Sequence, residues 1–219
     1  MARAVRADAF SPLGALCSPE CTDALRWYTW EVNIAAAFFT LLRHLERTLG
    51  HALSEQLTVR FGREDWWDHP AIGLHHASRR KIEEILAKLA RDHRRAVTAE
   101  AVQRELTLGF WVSLLGPGND YETRLWRPTL RHAFPAYRGP RRPLHRDLDH
   151  LRTLRNKVAH HEPIGLRDLA ADRRSAYRIL GYLSADVLDW VAAEDQIPQL
   201  LTERPASCAQ VLPDARREL

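Results

Sequence analysis

The run Leu154-Arg155-Asn156-Lys157-Val158-Ala159-His160-His161-Glu162-Pro163 places an arginine, an amide and a histidine within about one and a half helical turns. Imidazole moves protons near neutral pH, and guanidinium presents a planar fork that fits phosphate or carboxylate. On a helical wheel Leu144, Leu148, Leu151, Leu154 and Val158 share about a third of the circumference, and Arg155 falls inside that apolar stripe. A charge there must be paired or must snorkel. Either a structural ion pair, to Glu46, Asp147 or another carboxylate, or an anionic substrate would satisfy it. His160 is expected in the last helical turn, where unsatisfied carbonyls favour the protonated ring. It is either a plain cap or an acid–base group.

The elements that must carry these residues read as helices. Ser18-Pro19-Glu20 has the form of a helix start. From about Ala24 to Arg60 the chain lacks proline, and Ile34, Phe38, Leu41, Leu42, Leu45, Leu49, Leu53 and Leu57 recur three and four apart, with Gly62 as the stop. A second helix is expected over about Ser78 to Arg94, and a third is capped by Thr98 and runs to Leu115. A fourth opens on an Asn119/Glu122 capping box and ends near Phe134-Pro135. Pro143 opens the fifth, which must finish by about His161 because Pro163 disfavours helix at Glu162. The sixth spans about Asp168 to Ala193. No segment alternates in polarity between turn signals, so strands should be few or absent. The expected organisation is a flexible leader (1–17), one all-helical domain (18–204) and a mobile tail (205–219).

With these residues in place, the chain resembles the Abi-like (abortive infection, AbiD/AbiF-type) proteins of the HEPN superfamily. Its signature is an arginine, a polar residue and, a few residues on, a histidine; Arg155, Asn156 and His160 match it. Asn33 to Asp68 looks like the family's N-terminal block. Glu105 to Trp111, with Leu125-Trp126-Arg127-Pro128, looks like its middle block, so the resemblance covers about Trp30 to Trp190 in order. It implies an all-α, HEPN-like helical bundle and metal-independent RNA cleavage leaving a 2′,3′-cyclic phosphate and a 5′-hydroxyl. In that chemistry His160 takes the 2′-hydroxyl proton, Arg155 stabilises the charge developing on phosphorus, and Asn156 orients the ring. Supporting or RNA-contacting candidates are Arg152, Lys157, His161 and, on the long helix, Arg43, Glu46 and Arg47. Arg155 and His160 lie about 140° apart on an ideal helix, which one chain alone would struggle to aim at a single phosphate. The resemblance likewise implies a homodimer paired through this helix. An antitoxin protein or regulatory RNA would restrain it. The alternative is a non-catalytic RNA-binding or scaffold protein that keeps the fold.

Composition sets outer bounds. The chain of 219 residues is long enough for a sizeable core. A net charge of +4 leans only weakly towards polyanions, since arginine dominance, with Lys81, Lys88 and Lys157 as the lysines, also follows from GC-rich coding. Cys17, Cys21 and Cys208 are an odd number with no secretory leader, so a cytoplasmic setting is expected, and they lack the further ligands a zinc site needs. No cofactor and no metal is expected. Ile34 to Phe39 is too short an apolar run to span a bilayer. Trp66 and Trp67 could stack on bases, but packing over the end of the long helix is the better reading.

Overall fold

The computed structural model describes residues 22–92 and 97–205; the leader, the Ser18 helix start, the three cysteines and the tail beyond Pro205 lie outside these. Among the described residues there are helices and no strands. The helix α1 (Thr22–Phe61) is the axis of the fold. Its eight periodic apolar residues are all buried, and Gly62, at φ 68°, ends it in the left-handed conformation that glycine adopts without a β-carbon penalty. Around it pack α4 (Leu108–Ser113), α5 (Arg141–Ala159), α6 (Leu169–Leu183) and α8 (Ile197–Thr202). The helices α2 (His76–Asp92) and α3 (Ala99–Glu105) pair with each other, and α7 (Ala185–Ala193) follows α6. Trp66 and Trp67 form a 3-10 turn buried at the end of α1, with Trp66 Nε1 donating to Ser54 Oγ at 2.9 Å, so they pack rather than stand open to bases.

Three expected helices are broken, the third by a distant carboxylate, the fourth by arginines that take Glu122 together with its own Pro128, and the sixth by a serine within its span. Thr98 does cap the third, accepting from Ala101 N at 3.2 Å. The helix stops at Glu105 because the N–H of Leu108, which would continue the ladder to Arg104, is instead taken by Glu46 of α1 at 2.8 Å. The Asn119/Glu122 capping box does not form. Asn119 and Asp120 both adopt positive φ, Asn119 Nδ2 donates to Gly73 O, and Glu122 turns to Arg127 and Arg141. Although burial disfavours its charge, these two guanidinium hydrogen bonds hold the Glu122 carboxyl below the usual range. Only a π turn (Glu122–Trp126) and a 3-10 turn (Leu130–Ala133) remain, since Pro128 cannot extend the ladder. The sixth helix is divided at Ser184, whose extended backbone ends α6 while its hydroxyl caps α7 by accepting from Val187 N at 3.3 Å.

The helix α5 begins two residues before Pro143, after Pro140, because buried Arg141 is drawn inward to Glu122 and to the carbonyls of Leu115 and Gly116. Leu144, Leu148, Leu151, Leu154 and Val158 are buried, as the wheel requires.

Candidate functional site

The end of α5 is built as a reverse cap. His160 is the last, half-helical residue, and His161 takes a left-handed φ of 57°. Glu162 N then donates to Lys157 O at 2.8 Å and His161 N to Val158 O at 3.2 Å, the paired bonds of a Schellman motif. His160 N itself donates to Asn156 O at 2.9 Å. The carbonyls of Asn156, Lys157 and Val158, expected to face the His160 ring unsatisfied, are thus already engaged by backbone. Among the described residues no side-chain bond joins Asn156 to the ring, so the link between them runs through the main chain. Both histidines are exposed, and their opposite backbone conformations aim them differently.

The loop beyond is clamped to the start of α1. Glu31 Oε1 accepts from Ile164 N and Gly165 N, both at 2.9 Å. Gly165 lies against two indoles; a β-carbon there would sit 2.8 Å from Trp27 Cζ2 and 3.0 Å from Trp30 Cζ3.

One helical stretch earlier, Arg155 is not deep in the core. Its side chain keeps 28% of its surface and pairs through Nε with Glu46 Oε2 at 3.3 Å; Asp147, the other carboxylate considered, pairs with Arg178. Among the described residues, no other group engages the guanidinium. Glu46 is buried and stands at a junction, accepting from Leu108 N at 2.8 Å and Arg43 Nη1 at 3.5 Å as well. The two contacts Arg155 to Glu46 and Gly165 to Glu31 show α5 running antiparallel to α1, with His160 held between them. On the solvent side of that stretch of α1, Leu25, Tyr28, Val32 and Phe39 form an exposed apolar ridge.

The remaining candidates divide. Arg152 bonds Asp149 at 2.7 Å and Lys157 pairs with Glu162 at 3.4 Å, both on the outer side of α5. Arg43 and Arg47 are exposed on α1. Arg142 and Arg146 add two exposed cations near the start of α5, while further along the cations Arg152 and Lys157 are paired with acids. His145, also near the start of α5, is held below the ordinary histidine range by burial, against the opposing pull of Asp149.

Sequence reasoning missed His150 on α5. His150 Nε2 lies 2.7 Å from Oδ1 of buried Asp172, which Arg167 grips through two nitrogens at 2.9 and 3.1 Å. Asp172 falls among apolar positions of α6, and an acid on an apolar face was the available signal.

Comparisons with family models, with curated proteins and with solved structures give no match. What stands on the structure is an all-α fold with a long N-terminal helix, in which no helix of the described residues is long and apolar enough to cross a membrane.

Proposed function

We propose that the chain is a metal-independent endoribonuclease of the Abi-like HEPN type, acting in the cytoplasm in phage defence or as a restrained toxin. The observation that carries this reading is the mounting of Arg155: buried Glu46 holds its Nε side and leaves the terminal nitrogens unengaged among the described residues, while His160, five residues on, is exposed. A fork held on one side and open on the other suits a phosphate, and an exposed imidazole suits proton transfer, with two copies of the chain bringing the arginine of one to the histidine of the other. His160 takes the proton of a ribose 2′-hydroxyl, the oxygen attacks the adjacent phosphorus, and the 5′-oxygen leaves with a proton returned by an imidazolium. Arg155 stabilises the charge on the phosphoryl oxygens. Asn156, with no side-chain partner among the described residues, is available to the substrate. Exposed Arg142 and Arg146 on α5 support RNA as that substrate, and two copies pair through α5, as the resemblance implies. An antitoxin protein or a regulatory RNA would supply the restraint.

RNA incubated with the purified protein in EDTA should be cut to cyclic-phosphate and 5′-hydroxyl ends, since acid–base groups carry the chemistry. Cleavage abolished by EDTA and restored by Mg²⁺ would sink the mechanism. If one chain's arginine serves the partner's histidine, co-expressed Arg155→Ala and His160→Ala proteins should recover roughly a quarter of parental turnover. Half of randomly paired dimers are mixed, and each keeps one of two productive arrangements. Folded mixed dimers without recovery would rule out the shared site.

A second reading has its own observation. The Arg155–Glu46 pair is also what a purely structural arginine would make, which favours an RNA-binding or scaffold protein. Binding of RNA without cleavage distinguishes it.

A further inference from the structure

Across Glu46 from Arg155 lies a small pocket of about 150 Å³ between α1, α3 and α4. Its floor is Gly50, on which the indole of Trp111 rests: a β-carbon at residue 50 would lie 2.7 Å from Trp111 Nε1. Trp111 is 2% exposed, and no described residue accepts a hydrogen bond from its N–H. Among the described residues the one fully occluded side-chain nitrogen or oxygen without a partner is Nε of Arg204, so the Trp111 nitrogen keeps some contact with solvent, and the pocket that Trp111 and Gly50 line is where an acceptor could reach it. An indole nitrogen can only donate, and a buried donor left without an acceptor is costly.

The other walls supply donors too. Arg47 and His51 come from α1 and have no ion-pair partner among the described residues; Gln103 and Arg104 come from α3. Arg104 is paired with Glu100 at 2.5 Å, but both side chains are more than half exposed, and such surface pairs hold weakly. The Glu46 carboxylate in the wall is already engaged by Leu108 N, Arg43 and Arg155. Two arginines and two glutamates line the pocket, but Glu46 is engaged by Arg43 and Arg155 and Glu100 by Arg104, which leaves Arg47 as its unpaired cation among the described residues; the pocket is rich in donors and too small for a whole nucleotide.

We propose that this pocket binds a phosphate group, presented either by an RNA chain or by a free phosphorylated ligand. In its RNA form the inference rests on the ribonuclease reading, and the group bound is a backbone phosphate beside the one cut, separated from Arg155 by Glu46.

The test uses the full chain and the indole N–H signals of its seven tryptophans in a ¹H–¹⁵N spectrum, with Trp111 assigned by Trp111→Phe. Should that variant not fold, the nuclear Overhauser contact between the indole N–H and the Gly50 α-protons makes the assignment. Inorganic phosphate, a 2′-O-methyl oligoribonucleotide that cannot be cut, and acetate are titrated at equal ionic strength. The Trp111 signal should move with phosphate, the oligonucleotide or both, and Arg47→Gln should weaken that response at least tenfold without lowering the melting temperature. Movement with phosphate alone assigns a free phosphorylated ligand; movement with the oligonucleotide alone assigns an RNA subsite. An equal response to acetate, or no response to any probe, overturns the proposal. Native protein that responds to phosphate yet never cleaves RNA would leave the pocket standing and remove the ribonuclease reading.

Discussion

His160→Ala protein should lose about two to four orders of magnitude in RNA cleavage, the usual share of a general acid–base group. Its melting temperature should remain within the range of a neutral surface change, about 0.5 kcal/mol. Both halves follow from the same geometry. The His160 ring is exposed and its backbone, not its side chain, makes the capping bond to Asn156. Removing the imidazole therefore leaves the reverse cap and the Glu31 clamp in place. The measurement is single-turnover cleavage beside thermal unfolding. A variant that cuts as fast as its parent at equal folded concentration shows that another group moves the proton. His150 would be next, with its ring already held by Asp172.

Glu46→Ala should be costly in both respects. It strands the Leu108 N–H at the break between α3 and α4, and it releases Arg155 and Arg43. A lost hydrogen bond to a charged group and a buried donor left unmade amount to about 2–3 kcal/mol, the low end for breaking a buried ion pair because Arg155 can rehydrate. For a chain of this size that is a fall of about 4–12 °C in melting temperature. Glu46→Gln keeps an acceptor for Leu108 and should recover about half of the stability. It should not recover cleavage, since a neutral amide holds Arg155 less firmly. If Glu46→Gln cleaves at the parental rate, the ion pair is structural and Arg155 needs no positioning. Thermal melts and cleavage rates on the same two proteins decide it.

The legible part of this fold is whatever the chain encodes within a few residues. The three-and-four spacing from Ile34 to Leu57 reads as α1, Gly62 as its end, Thr98 as a cap, and Pro163 as the limit of α5, and each of these is where the structure has it. Long-range capture erased the rest. Neither Leu106 nor Thr107 marks an end to the third helix as a glycine or proline would, yet both are extended there, where Leu108 N meets a carboxylate 62 residues upstream. Glu122 satisfies the spacing of a capping box, yet two arginines outbid the Asn119 backbone for its oxygens. The site shows the same division. Arg155 was marked by its place on an apolar stripe, and Glu46 was already among its candidate partners. The wheel, however, could not tell an edge position from a core one, nor foresee the open indole N–H of Trp111 over Gly50. Such features exist only once α1, α3 and α4 have met.

The clamp at Glu31 also bears on when a chain of this kind becomes competent. Translation delivers α1 first, but the His160 turn is braced only after Ile164 and Gly165 have emerged and reached back to residue 31. That brace has its own lock: Trp30, against which Gly165 rests, donates its indole N–H to Leu200 O at 2.6 Å, near the end of the described chain. During synthesis Arg155 can therefore meet Glu46 as soon as its own helix has emerged, whereas the turn that carries His160 gains its brace later, and the lock on that brace only once Leu200 has followed.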